Sequence, residues 1–268
     1  ADIQISPDTG RDPYRFIPEG VIDHDARQQW YAYNYDRALQ PEHLIRYYQA
    51  ITGVDAVIGQ MMQQLESLGI ADNTVIVFSG EYGNGGKGLL NDLVAKVPLV
   101  VYDPRLDSAV EPRVSDDLVL SIDVPATMLS LADLSVPDSM QGRDLNAEIP
   151  ARQSVFLESL TVAEGNPFIE ALRTEQWKYV RYLQPQGCPY TEAHLDFAGQ
   201  QPVFEQLFHL PSDPDERRNL ATDAEHAAVL EDFRQQIGAR SAALTSQSRE
   251  YKQAIGVPMR PEDGSYCW

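Results

Sequence analysis

Apolar residues in the early part of the chain follow two different spacings. From Pro41 they recur at intervals of three, four and seven residues, which predicts a long amphipathic helix that ends at Gly69. Two short, β-branched apolar runs follow, at Val75–Phe78 and Val97–Tyr102. Such continuous runs are typical of strands that are buried on both faces of an α/β sheet. This part of the chain therefore predicts a piece of an α/β core.

The later part of the chain has a different pattern. Short strand-like runs alternate with turn-rich segments and predict an antiparallel sheet. These runs are Val155–Glu158, Ile169–Arg173, Tyr179–Leu183 and Phe204–Leu210. One helix is predicted after them, over Ala221–Ala243, and the last 20 residues are expected to form a surface tail. We place a domain boundary near residue 150, between an α/β part (1–150) and a small α+β subdomain (151–268).

Between these two parts lies an apolar segment, Asp116–Leu134, that is interrupted at Val124-Pro125. Proline disfavours a helical conformation in the residue before it, so the segment predicts a short apolar piece and then a helix ending near Leu134. A shift in composition at Asn146–Gln153 marks the predicted boundary.

Composition and charge narrow the classes of function. With 43% hydrophobic and 23% charged residues among 268, the chain is ordinary globular material. Its net charge of −19 argues against nucleic acid or an anionic membrane as a partner. A divalent cation and a local Lys or Arg would still permit an anionic substrate. No apolar run is long enough for a membrane span, so we expect a soluble chain. Cys188 and Cys267 leave open whether a disulfide forms.

Candidate chemistry lies in the loop between the two apolar runs of the α/β part. It carries Glu81, Tyr82 and Lys87. The glycines among them are Gly83, Gly85, Gly86 and Gly88. Ligand sites in open α/β sheets form beyond the carboxyl ends of strands, which is where the first run would deliver Glu81 and Tyr82. Taken alone, a charged loop residue is more often simply exposed to solvent.

Five stretches in order carry a resemblance to a known family: YYQAITGVDAVIGQMMQQLESLGIADNTVIVFSGEYG, GGKGLLNDLVAKVPLVVY, SIDVPATMLSLADLSVPDSMQGRDL, ALRTEQWKYVRYL and LFHLPSDPDERRNLA. From about Leu44 to Leu230 the chain resembles the C-terminal half of a sulfatase of the alkaline-phosphatase-like superfamily. The resemblance implies part of a mixed-sheet α/β core with flanking helices. It also implies a small C-terminal subdomain with a four-stranded antiparallel sheet and one helix.

The resemblance also implies roles for the loop residues. Lys87 matches the family lysine that contacts the sulfate group. Glu81 takes the place of an aspartate that binds Ca²⁺ or Mg²⁺ and keeps the carboxylate oxygen such ions prefer. Tyr82 replaces an Asn or His, and we expect it to fill space rather than transfer protons, since a tyrosine pKa lies far above that of a working base. Asp123 and Arg143 resemble structural members of the family's motifs.

Other family features have no counterpart in the chain. The Cys/Ser-x-Pro-x-Arg motif that yields the formylglycine nucleophile is absent, and Cys188-Pro189-Tyr190-Thr191 does not match it. The paired N-terminal aspartates that hold the metal are also missing, so we assign no catalytic residue to this chain.

We therefore expect the C-terminal portion of a sulfatase-like hydrolase, inactive alone, whose partners are an N-terminal sulfatase-like polypeptide and a sulfated small molecule or glycan. The family resemblance implies a periplasmic, secreted or lysosomal location. The alternatives are a non-catalytic sulfatase-like binding or partner protein with a degenerate metal site, and a phosphate or phosphonate ester hydrolase of the same superfamily.

Overall fold

A computed structural model describes residues 16–18, 21, 40–83, 88–106, 114–159, 167–183, 197 and 199–254. The chain divides into two compact units, Ala1–Arg113 and Val114–Trp268, called here the first and second units. The domain boundary near residue 150, which was placed from a shift in composition, stays a prediction. The predicted surface tail is wrong for residues 249–254, which belong to the final helix, Ala227–Ala254. The rest of the predicted tail and both cysteines lie outside the described residues.

The first unit has a long helix, a short helix and two strands. They are α1 (Gln40–Ser67), β1 (Ile76–Ser79), α2 (Asp92–Ala95) and β2 (Leu99–Tyr102), with a 3₁₀ turn at Ala71–Asn73 between α1 and β1. The predicted helix is confirmed at both ends. Pro41 lies in its first turn, and Gly69, just beyond its end, has a φ of +67°, a left-handed conformation that glycine adopts at little cost.

The two strands of the first unit pair with each other and run antiparallel. Ile76 is opposite Tyr102, and Ser79 is opposite Leu99. The expected burial on both faces is not observed, because Val100 and Val101, which point to opposite faces, are 55% and 41% exposed. A continuous run of apolar residues predicts a strand that is suited to burial. It does not tell which element packs against that strand.

The second unit contains a helix, four strands and a final long helix. They are α3 (Asp123–Leu131), β3 (Ser154–Ser159), β4 (Phe168–Thr174), β5 (Trp177–Leu183), β6 (Phe204–His209) and α4 (Ala227–Ala254). The four predicted strands are confirmed. The final helix begins later than predicted because Asp223 accepts a hydrogen bond from the backbone N–H of Glu225 and caps a 3₁₀ turn, Ala224–His226, that precedes α4.

The four strands form one antiparallel sheet in the order β3-β4-β5-β6. Helix α4 packs on one face of this sheet. Its buried residues Leu230, Phe233 and Ile237 recur at helical spacing and share a core cluster with strand residues. Those strand residues are Leu172, Tyr179 and Leu207. The expected subdomain, a four-stranded antiparallel sheet with one helix, is therefore confirmed. No described helix is both long and apolar enough to cross a bilayer.

The turn after β6 is held to the sheet by a buried ion pair. Lys178 Nζ of β5 lies 2.8 Å from Glu216 Oε1, and the two side chains are 0% and 2% exposed. Glu216 has a φ of +53°, a conformation that most residues avoid. Asn219 accepts a hydrogen bond from the backbone N–H of Leu207 and donates one to the carbonyl of Glu205. The DPDERRN stretch therefore fastens the turn to β5 and β6.

Candidate functional site

The loop that follows β1 begins with the two residues singled out from the sequence. Glu81 and Tyr82 come directly after the carboxyl end of β1, as expected, and both are exposed. Tyr82 is 45% exposed, and the expectation that it fills the space of a smaller family residue stays a prediction. The strand therefore presents a carboxylate and a phenol at the surface of the first unit.

Gly83 fixes the path of the backbone immediately after these two side chains. Its N–H donates a hydrogen bond of 2.7 Å to the carbonyl of Val94 in α2. A Cβ at this position would lie 2.2 Å from the carbonyl oxygen of Leu93, which is far inside van der Waals contact. Only glycine lets the loop approach α2 this closely, and the approach holds the positions of Glu81 and Tyr82.

Lys87 lies outside the described residues, together with Gly85 and Gly86. Its role as a sulfate contact therefore stays a prediction. At the other side of this segment, Gly88 has a φ of +94°, a conformation that side chains disfavour, and Leu89 and Leu90 are buried. The chain thus returns to the core directly after Lys87.

The metal site expected from the resemblance was compared with the donor groups present. Within the described ranges, no three His, Cys, Asp or Glu side chains come together to hold an ion. Glu81 offers one hard oxygen donor, whereas Ca²⁺ takes six to eight oxygen ligands and Mg²⁺ six. The described residues do not form a metal centre by themselves, and we derive no chemical step through a metal.

In the second unit, Asp123 forms a buried polar centre. Its carboxylate is 0% exposed and accepts hydrogen bonds from the backbone N–H groups of Leu120 and Arg143, at 2.7 and 2.8 Å. It also pairs with both terminal nitrogens of Arg152, at 2.6 and 2.5 Å. Burial opposes ionisation, but the hydrogen bonds from Arg152 and the two backbone groups outweigh it and hold the pKa of Asp123 below its usual value.

This centre joins three separate segments of the second unit. Thr127 Oγ1 donates to the carbonyl of Asp123 and accepts from the N–H of Leu145, so the start of α3 is tied to the chain after Gly142. A Cβ at Gly142 would lie 1.9 Å from the carbonyl oxygen of Ile122. Asp123 and its surroundings therefore have a structural role, as the resemblance implied.

Sequence reasoning missed the partner of Asp123, which is Arg152. The pair is separated by 29 residues, so no local spacing points to it. An indirect signal was available, since a carboxylate in the first turn of an apolar helix requires a cation or several donors once it is buried. Arg143, the residue that was singled out, contributes its backbone N–H, and its guanidinium donates to the carbonyl of Pro150 at 3.3 Å.

Family comparisons agree with this fold. The sulfatase family matches residues 12–134, and the family of N-sulphoglucosamine sulphohydrolase C-terminal regions matches residues 80–243. The second match spans more than half of the chain and includes the loop after β1, the Asp123 centre and the sheet. This chain belongs to the sulfatase family, in the alkaline-phosphatase-like superfamily.

Individual relatives give the same picture. An endo-4-O-sulfatase of Bacteroides thetaiotaomicron is 29% identical over 223 residues, covering 76% of this chain and 42% of the relative. An ulvan-active sulfatase of Formosa agariphila is 24% identical over 265 residues, covering 87% and 41%. A solved 2-O GAG sulfatase superposes with a TM-score of 0.62 at 20% identity, covering 98% of this chain and 57% of that one, and it supports the fold. The chain spans between 30% and 42% of the length of the curated relatives it matches.

Proposed function

We propose that this chain is the C-terminal portion of an enzyme that hydrolyses sulfate esters of a glycan or a smaller sulfated molecule. The observation that carries the proposal is the match of residues 80–243 to the C-terminal region of a sulfatase-family enzyme. The names of the relatives, which include ulvan-active, endo-4-O- and GAG sulfatases, support a sulfated glycan as the substrate class.

Within that enzyme, Lys87 would contact the sulfate group and Glu81 would provide one oxygen ligand to Ca²⁺ or Mg²⁺. A lysine next to glycines suits the first role, because small neighbours allow close approach and the cation stabilises charge that develops on sulfate oxygens. The position of Glu81 directly beyond β1, on a backbone held by Gly83, supports the second role. The metal, when bound, would supply positive charge to the same sulfate.

The nucleophile would come from an N-terminal sulfatase-like polypeptide, either joined to this chain or separate from it. The exposed apolar surface of the first unit supports such a partner. Seven large apolar residues of α1 are between 46% and 57% exposed: Ile45, Tyr47, Tyr48, Ile51, Val54, Val57 and Met61. A helix that is apolar on several sides is normally buried, and a sheet of only two strands is marginal without further packing. We expect the chain alone to be inactive, since the covalent route needs the nucleophile.

Association and turnover can be tested together. The chain would be purified without denaturation, any bound polypeptide identified by intact mass, and hydrolysis of an aryl sulfate measured. We expect activity only in samples that contain a polypeptide with Cys/Ser-x-Pro-x-Arg. Turnover by the chain alone would overturn the partner proposal. A complex with that polypeptide that turns over no sulfate ester would overturn the functional one.

The Lys87 assignment has a matched control in Lys96, an exposed lysine at the end of α2. In the active complex, Lys87→Ala should lower kcat by roughly 10²- to 10³-fold, the usual effect of losing one group that stabilises transition-state charge. Lys96→Ala should leave kcat unchanged. Equal activities of the two variants would show that Lys87 does not contact the sulfate. By its family, we propose that the assembled enzyme works in the periplasm, in the lysosome or outside the cell.

A further inference from the structure

Four ionisable side chains stand side by side across the sheet of the second unit. Glu158 of β3 is opposite Glu170 of β4, which is opposite Arg181 of β5, which is opposite Glu205 of β6. Directly opposed residues of antiparallel strands share a face, and this face is the one covered by α4. We call these four residues the charged row. Glu170 and Glu205 bond to side chains of α4, and Glu158, on the edge strand β3, is exposed.

Two of the three carboxylates are fully partnered. Glu170 accepts from Arg181 Nε at 2.6 Å and from Ser241 Oγ of α4 at 2.8 Å. Glu205 accepts from Arg234 of α4, at 2.8 and 2.6 Å, and from the Tyr179 hydroxyl. The three carboxylates of the charged row face two cations, Arg181 in the row and Arg234 in α4. The cluster therefore has one carboxylate more than it has cations.

The excess charge belongs to Glu158. Within the described part of the chain, Glu158 has no cation or hydrogen-bond donor, and it lies directly opposite Glu170. Like charges in directly opposed positions destabilise a strand pair. Although Glu158 retains solvent exposure, partial burial by the surrounding protein and the negative charge of Glu170 raise the pKa of its carboxyl group.

We propose that Glu158 makes the second unit pH-sensitive, with the pairing of β3 and β4 strongest when this carboxyl, directly opposite Glu170, is protonated. The sign follows from the raised pKa: the folded state binds the proton more tightly than the unfolded chain, whose glutamate titrates near 4.5. Stability is gained below the folded pKa and is lost as the pH rises through it.

The other groups facing this position do not reverse the effect. Arg181 is bound to Glu170, and Arg234 to Glu205. The helix side chain that bonds to Glu170 is Ser241, which is neutral. Among the carboxylates of the charged row, Glu158 is therefore the one without a cation or hydrogen-bond donor among the described residues.

The test compares Glu158→Gln with Glu175→Gln, an exposed glutamate in the neighbouring β4–β5 turn. Thermal unfolding of the full chain would be followed at about pH 5 and about pH 7. Glu158→Gln should raise Tm at the higher pH by roughly 1–3 °C and shrink the difference between the two pH values by the same amount. Glu175→Gln should change neither.

Comparison between the two variants removes the contribution of every other group, since both variants retain them. If Glu158→Gln lowers Tm at about pH 7, or leaves the difference between the two pH values as large as in the parent chain, the proposal is wrong. The outcome does not depend on sulfatase activity, because only the stability of the second unit is measured.

Discussion

Replacing Asp123 by asparagine is the sharpest test of what holds the second unit together. The substitution keeps the size of the side chain and removes its charge. Arg152, whose side chain is 9% exposed, would then be a buried cation without a counter-ion, and the new amide would direct an N–H₂ group at one of the present donors. Removing one partner of a buried ion pair typically costs about 3–5 kcal/mol.

This cost translates into a large shift in the stability of the unit. At about 2–4 °C per kcal/mol for a unit of this size, Tm should fall by roughly 6–20 °C. Urea unfolding followed through tryptophan fluorescence, to which Trp177 of β5 contributes, should show a lower midpoint with an unchanged slope. Asp138→Asn is the control, since Asp138 is exposed, and its effect should stay within about 0.5 kcal/mol.

A double-mutant cycle would refute or support the reasoning directly. Adding Arg152→Met to Asp123→Asn removes the uncompensated cation, so the double variant should be less destabilised than the sum of the two single variants, by about 0.5–3 kcal/mol. Additive effects, or a loss below about 1 kcal/mol for Asp123→Asn alone, would mean that the ion pair does not anchor the three segments.

Two further predictions concern the same unit. Gly142→Ala should be strongly destabilising, because its Cβ would lie 1.9 Å from the Ile122 carbonyl oxygen. Gly238→Ala in α4, where nothing lies within 4 Å of the new Cβ, should stabilise the chain by roughly 0.5–1 kcal/mol in the same urea assay. Equal effects would show that the chain relaxes around Gly142. On acidification, Asp123 and Glu205 should each contribute a loss of stability, since both have folded pKa values below the usual ones. Their contribution is complete above the unfolded values of 3.8 and 4.5 and disappears as the pH falls through the folded values. Urea midpoints measured between about pH 2 and 6 check this, and Asp123→Asn should show a shallower acid loss; an unchanged profile in that variant would contradict the assignment.

Strands and helices of this chain were predictable wherever one periodicity governed a whole segment. The four strands of the second unit and helix α1 follow the sequence closely, because a single strand-like or helical apolar spacing runs through each of these segments. The start of α4 was less predictable. There, Asp223 can cap a turn by a local hydrogen bond, and local bonding competes with the helix pattern.

Polar partnerships were much harder to predict than elements. The two buried ion pairs join residues that are far apart in sequence: Lys178 with Glu216, and Asp123 with Arg152. Each of these residues, considered alone, is of a charged type that is usually exposed to solvent. Only the folded chain shows that these pairs are buried. For the loop after β1, the apolar run before it located Glu81 and Tyr82 correctly at the end of a strand, but the exposure of Tyr82 depends on neighbours that sequence spacing does not encode.

The strand order of the second sheet has a consequence for how this part of the chain folds. Every strand pairs with the one that precedes it, so each pairing closes a loop between neighbours in the chain. Closing such loops costs less entropy than bringing distant segments together, and proteins rich in local contacts fold faster. We therefore expect the sheet to assemble by successive hairpins, with α4 docking afterwards on a surface that is already formed.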